Sequence, residues 1–152
     1  MEGTMRTKTD HRFVIDVDPE QVMDALLAVE QIPEWSPSHK DVRVATRDEY
    51  GRPKKVYATV TPLGNSDRQV LEYDCTEGRI AWTVIESGAG GGGKGWFEIE
   101  ETTDGIEVWY HAEVYLPIPV PGILMKRSLS RSNEEAVHNL VEFIEKFPFR
   151  EN

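Results

Sequence analysis

The stretch from Gly78 to Tyr110, GRIAWTVIESGAGGGGKGWFEIEETTDGIEVWY, decides the fold. Apolar and polar residues alternate through Ile80-Ala81-Trp82-Thr83-Val84 and again through Ile106-Glu107-Val108-Trp109-Tyr110, the period-two pattern of half-buried strands. Glu77-Gly78 and Asp104-Gly105 are short turn signals, and half of the 12 glycines crowd into Gly88–Gly95 between them. With Gly51 and Gly64 upstream, a turn falls roughly every 13 residues, which suits antiparallel strands joined by hairpins. The spacing predicts one continuous antiparallel meander.

Turn register then sorts the side chains by face. A two-residue turn at Glu77-Gly78 pairs Tyr73 with Trp82, Leu71 with Val84 and Cys75 with Ile80, sending Glu72 and Asp74 to the other side. A two-residue turn at Asp104-Gly105 pairs Ile99 with Tyr110, Phe97 with Ala112 and Glu98 with His111. Both hairpins separate apolar from acidic residues, so the two registers support one another. At Tyr50-Gly51 the same logic turns Tyr57 and Thr59 inward if Val42 and Val44 face inward.

Helical patterns bracket the meander. Asp18-Pro19-Glu20-Gln21 reads as a helix start: Asp18 as cap, Pro19 at the first helical position, Gln21 completing a capping box. Val22, Leu26 and Val29 follow on one face, and Pro33 limits the helix. A long second helix is expected from Pro121-Gly122 to about Phe147, where Pro148 ends it. Met125, Leu129, Ala136, Leu140, Phe143 and Phe147 form its apolar stripe.

Charge and composition exclude several classes. Seventeen basic against 27 acidic residues give a formal charge of −10, which repels phosphate backbones, so no nucleic-acid partner is expected. Cys75, the single cysteine, can form neither an internal disulfide nor a thiolate metal cage, and its inward placement marks a structural thiol. The four histidines, His11, His39, His111 and His138, show no short ligand spacing, so neither a metal nor a cofactor is expected. Gly88, Gly93 and Lys94 mimic a phosphate loop, but Gly95 replaces its hydroxyl residue and a strand pattern follows. A hairpin or cavity lid is expected there instead. His111 and Glu98 are expected as a surface ion pair. The opening MEGTMRTKTD has no apolar run after its charges, so a cytoplasmic location is expected.

The order strand, helix, short helix, six-stranded meander and long terminal helix resembles the START-related helix-grip superfamily, in its polyketide cyclase/dehydrase and lipid-transport-like branch. The residues carrying the likeness are Val17-Asp18-Pro19-Glu20-Gln21-Val22, Ile32-Pro33-Glu34-Trp35-Ser36-Pro37, Arg79-Ile80-Ala81-Trp82, Thr103-Asp104-Gly105 and Pro119-Val120-Pro121-Gly122. The resemblance implies an α+β helix-grip fold. A seven-stranded curved antiparallel sheet wraps around the C-terminal helix, with two short helices after the first strand. Residues 1–9 are expected as a flexible tail and 10–148 as the single domain.

It also implies a small hydrophobic ligand, lipid- or polyketide-like, between sheet and helix. Tyr57, Tyr73, Trp82 and Tyr110 are read as inward aromatics with polar tips, which suit a pocket better than a solid core. With Trp35 by resemblance, and Phe97, Ile99, Leu129, Asn133 and Ala136, they form the expected ligand-binding set. An aromatase/cyclase or dehydratase using the same cavity is the alternative, with no catalytic residue assigned. A third reading is a protein-interaction module, monomer or homodimer, through outward Trp96, Trp109 and Tyr115. Last, the apolar loop Leu116 to Leu124 precedes Lys126, Arg127 and Arg131, a pattern that suits transient membrane contact or packing on the sheet.

Overall fold

The computed structural model describes residues 5–61, 66–116 and 122–148, without the side chains of residues 5, 116, 122–126, 128–130, 132 and 133. Strands β1 (Met5–Ile15), β2 (His39–Arg47), β3 (Pro53–Val60), β4 (Asp67–Thr76), β5 (Arg79–Ser87), β6 (Gly92–Thr102) and β7 (Gly105–Leu116) form one antiparallel sheet. Their spatial order is β1-β7-β6-β5-β4-β3-β2, a meander whose last strand closes onto the first. Helix α1 (Pro19–Leu27) and a 3-10 helix (Val29–Glu34) follow β1, and α2 (Gly122–Lys146) ends the fold. This is the α+β helix-grip architecture, a curved seven-stranded sheet and a long C-terminal helix.

The sheet reaches further toward the N-terminus than expected. Residues 5–9 belong to β1, because the long β7 supplies partners as far as Met5↔Leu116. Strand pairing holds these residues in the domain, so they are not a tail.

The core lies on the inner face of the sheet. Val22, Ala25 and Leu26 of α1, and Ala136, Leu140 and Ile144 of α2, meet Ile15, Ile80, Phe97 and Val108 of the strands. Val22, Val108 and Ile144 are fully buried, each worth about 1.5–3 kcal/mol relative to exposure. Asp18 sits at the N-cap of α1 and Pro19 at the first turn, but Asp18 makes no side-chain capping bond. Gln21 likewise closes no capping box. Its Nε2 instead donates to the Ile144 carbonyl at 2.7 Å and to the Glu145 carbonyl at 3.3 Å, tying α1 to the last turns of α2. Gln21→Ala should lower stability by about 1 kcal/mol, the net worth of one such bond. Thermal unfolding of the two proteins measures it, and an unchanged midpoint would show that the tie contributes nothing.

Three hairpins test the registers. At Glu77-Gly78 the pairs are Tyr73↔Trp82 and Cys75↔Ile80, as the two-residue turn requires. At the β6–β7 hairpin Thr102 pairs with Gly105, so Thr103-Asp104 occupies the turn. The register moves by two residues, to Phe97↔Tyr110 and Trp96↔His111, and every side chain keeps its face. The β2–β3 hairpin moves by one residue. Asp48 N–H donates to the Arg52 carbonyl, leaving a three-residue loop that ends on Gly51 at φ 81°. Val44 therefore pairs with Val56 and Arg43 with Tyr57. A one-residue slip reverses the faces of β3, so Tyr57 points outward under the Arg43 guanidinium, 5.3 Å from its ring centre.

Candidate functional site: a cavity between sheet and helices

A cavity of about 170 Å³ opens between the sheet and the helices. Its deep wall is apolar and aromatic: Leu26, Val29 and Ile32 from the helices, Leu71, Ile80 and Phe97 from the strands. Tyr73, Trp82, Phe97 and Tyr110 stand as a continuous row, with ring centres 6.1, 5.4 and 4.9 Å apart in that order. The volume falls below the ~300 Å³ at which drug-sized pockets begin.

The Trp82 ring has its place because the opposite residue has no side chain. Trp82 pairs with Gly95, where a Cβ would stand 2.5 Å from the indole Cζ2 and 2.5 Å from the His111 carbonyl oxygen. The glycine run is thus partly strand rather than loop. Gly92 and Gly93 belong to β6 and line the cavity, while the turn before them is held by Asp67. The Asp67 carboxylate accepts from Ser87 Oγ at 2.6 Å and from the Ala89 N–H at 2.9 Å. Burial opposes its charge, but these bonds prevail and hold its pKa below the ordinary value.

Neither the Tyr73 nor the Tyr110 hydroxyl has a hydrogen-bond partner among the described residues. Burial raises both phenols above their ordinary value, Tyr110 to about 12. His11 stacks on Tyr110 at 6.1 Å, and its Nε2 is sealed from solvent without a partner among the described residues.

The polar end of the cavity lies where the 3-10 helix hands over to β2. Ser36, Ser38 and His39 line it, with Gln69 opposite on β4. Ser36 is buried, and its Oγ lies 2.7 Å from His39 Nδ1 and 3.4 Å from Ser38 Oγ. His39 is half-buried and is part of the cavity lining. Burial pushes its imidazole down to about 4. Sequence periodicity alone misses this residue, because a bulge between His39 and Asp41 puts it on the same face as Val42. The available signal was Ser36-Pro37-Ser38-His39, hydroxyls three residues and one residue before an imidazole.

Of the expected ligand-binding residues, Trp35, Tyr73, Trp82, Phe97, Tyr110 and Ala136 line this one cavity. Trp35 is buried, and its carbonyl accepts from Asn139 Nδ2 at 3.2 Å, which joins the cavity wall to α2. Ile99 packs on the core outside the cavity lining, and Tyr57 is on the outer face. Leu129 and Asn133 have side chains outside the described residues, as does most of the loop Leu116 to Leu124 with Lys126.

The outer face differs from the acidic surface expected of it. His111 is buried at 8% exposure and is held on both sides, Nδ1 at 2.7 Å from Asp10 Oδ1 and Nε2 at 2.9 Å from Glu113 Oε2. Trp96 stacks on it at 4.2 Å. Glu98 pairs instead with Arg79 at 2.7 Å, because the two-residue register change takes it opposite Trp109. Cations cover the outward aromatics: Arg12 over Trp109 at 4.4 Å, Arg79 over Trp96 at 4.8 Å and Arg6 over Tyr115 at 5.3 Å. Such a face is poor in bare apolar surface, which weakens the interaction-module reading.

The family model described as polyketide cyclase / dehydrase and lipid transport matches residues 6–145. The chain belongs to this family. Among solved structures, a START superfamily protein from Mycobacterium smegmatis is similar at 19% identity and TM-score 0.74, covering 94% of this chain and 97% of that one. The Zhui aromatase/cyclase from a Streptomyces species is similar at 13% identity and TM-score 0.72, with coverages of 93% and 95%. A protein from Thermus thermophilus shares 17% identity at TM-score 0.68, again over 93% and 95%. No curated protein matches the sequence. Identities this low establish a shared fold, and the family's description spans ligand carriage and polyketide chemistry alike. None of the described helices is long and apolar enough to cross a membrane.

Proposed function

We propose that this chain binds a small hydrophobic or aromatic molecule in the cavity between its curved sheet and α2. One observation carries the reading: a row of four aromatic rings lines the cavity, and its two tyrosine hydroxyls have no partner among the described residues. A buried tyrosine ordinarily satisfies its hydroxyl. Both residues are half-buried and neither hydroxyl is among the sealed atoms, so both are open to a molecule that bonds them in the cavity.

An aromatase/cyclase or dehydratase is the second reading, favoured by the His39–Ser36 pair at the cavity wall. Its weakness is energetic. A general acid or base works best with a pKa near the working pH. Burial holds His39 at about 4 and Tyr110 at about 12, both far from neutrality and both in their uncharged forms. These groups suit recognition better than proton transfer.

Native mass spectrometry after incubation with lipid and polyketide mixtures separates the readings. Retained, unaltered ligand supports the carrier, converted ligand supports the enzyme, and an empty protein overturns both. Tyr110→Phe should weaken a ligand with a polar head about three- to tenfold and leave the unfolding midpoint nearly unchanged, since one net hydrogen bond is lost. Equal affinity in calorimetric titration would remove Tyr110 from ligand recognition.

A further inference from the structure

The cavity's polar groups specify more than hydrophobicity. Its hydrogen-bonding side chains include Ser36, Ser38, His39, Gln69, Tyr73 and Tyr110, and all six are uncharged at neutral pH. The charged lining residues, Lys94 and Glu113, adjoin the inward Gly95 and Ala112, so strand alternation sends their side chains to the outer face, where Glu113 Oε2 lies 2.9 Å from His111 Nε2, and neither aims its charge at the ligand. An anionic or cationic ligand would therefore lose its hydration without gaining a counter-charge. The ligand that fits is neutral.

Volume narrows it further. An apolar cavity of ~150 Å³ in another protein accommodates benzene. At about 170 Å³, this cavity has room for one aromatic ring with a small substituent.

The His39 ring then decides the polar group. A neutral imidazole offers one donor nitrogen and one acceptor nitrogen. Nδ1 is already engaged with Ser36 Oγ at 2.7 Å, and Nε2 has no partner among the described residues and is not among the sealed atoms. Whichever tautomer Ser36 selects, a hydroxyl on the ligand can serve it, since a hydroxyl both donates and accepts. A ketone could serve one tautomer alone.

Resting on the carrier reading above, we propose that Ser36 and His39 form a recognition point for the hydroxyl of a neutral, single-ring phenol, with Ser36 fixing the imidazole through Nδ1 and Nε2 binding the ligand. The ring then lies against Trp82, Phe97 and Tyr110, and Trp35 covers it from the helical side.

Three probes of matched shape test this by NMR titration of the full chain: 4-methylphenol, toluene and 4-methylbenzoate. The phenol should bind about three- to tenfold tighter than toluene, the difference made by one net hydrogen bond. The carboxylate should bind more weakly than either. His39→Leu should erase the phenol's advantage while toluene affinity stays, and Ser36→Ala should reduce it. Should His39→Leu fail to fold, the 15N shift of His39 Nε2 in the wild type gives the answer, moving with 4-methylphenol and staying with toluene. Equal affinities for the three probes, or an unmoved Nε2 with bound phenol, would overturn the recognition point and leave the cavity reading standing. Failure of every probe to bind would overturn this inference together with the carrier reading.

Discussion

Gly95→Ala should destabilise the protein by about 2–3 kcal/mol and weaken ligand uptake in the same variant. The new methyl group would meet the His111 carbonyl oxygen at 2.5 Å and the Trp82 indole at 2.5 and 2.8 Å. One obstacle is backbone in a paired strand, and the other is a ring wedged between Tyr73, Phe97 and Tyr110, so neither yields cheaply. Overpacking of this kind typically costs about 1–3 kcal/mol. For a chain of this length each kcal/mol moves the melting temperature by about 2–4 °C, so a drop of about 4–12 °C is expected. The ring's escape route is into the cavity, which couples the stability loss to binding. Gly88→Ala is the control. Its Cβ would find Asp67 Oδ1 at 3.5 Å, an ordinary contact, and its melting temperature should stay close to that of the wild type. If Gly95→Ala melts and binds as the wild type does, the indole is not held against β6 as described.

Gly95 also shows what a sequence can and cannot reveal about this fold. The strand pattern after the glycines was legible, since Trp96-Phe97-Glu98-Ile99 alternates. The role of the glycines in making room for Trp82 was not, because it depends on which residue lies opposite. The two-residue turn at Glu77-Gly78 was readable, and it placed Tyr73, Trp82 and Cys75 correctly on the inner face. At Asp104-Gly105 the turn sits one position earlier, at Thr103-Asp104, and the register moves by two. An even shift preserves every face, so Phe97, Tyr110 and Ala112 still point inward although their partners change. At Tyr50-Gly51 the loop holds three residues rather than two, and that odd shift turned Tyr57 outward. Nothing in the dipeptide distinguishes the two loop lengths.

His39 was hidden by the same parity rule, since the bulge before Asp41 is a property of pairing rather than of β2's own sequence. Apolar alternation identifies a cavity's walls well because the hydrophobic effect is nearly indifferent to partners. Its polar point needs two elements to meet at hydrogen-bond distance, and here they meet at the junction of the 3-10 helix and β2. The burial of His111 was illegible for a related reason. Its partner Asp10 lies 101 residues away, on the strand that closes the meander.

That closure should make the stability depend on pH through His111. Burial opposes the imidazolium, but the bonds to Glu113 and Asp10 outweigh it and raise the pKa above the ordinary 6.5. The bond to His111 in turn lowers Asp10 from 3.8 and Glu113 from 4.5. By linkage, the histidine's contribution is complete below about 6.5 and is lost as pH rises through its folded value. The two carboxylates contribute above their unfolded values and lose that contribution as pH falls. Together they give a window of greatest benefit between about pH 4.5 and 6.5. Lys8 and Lys94 lie near Glu113, and His11 lies near Asp10, so the cluster is not a single isolated titration. His111→Gln should therefore cost about 2 kcal/mol near pH 6, the scale of a hydrogen bond to a charged group, and with it the stack on Trp96. The wild type should lose stability between about pH 6 and pH 9 more steeply than the variant, so that the gap between them narrows. Urea unfolding across that range measures both curves. Parallel curves would mean that His111 does not carry the proton shared with β1, and that the closing strand is held by its backbone pairing alone.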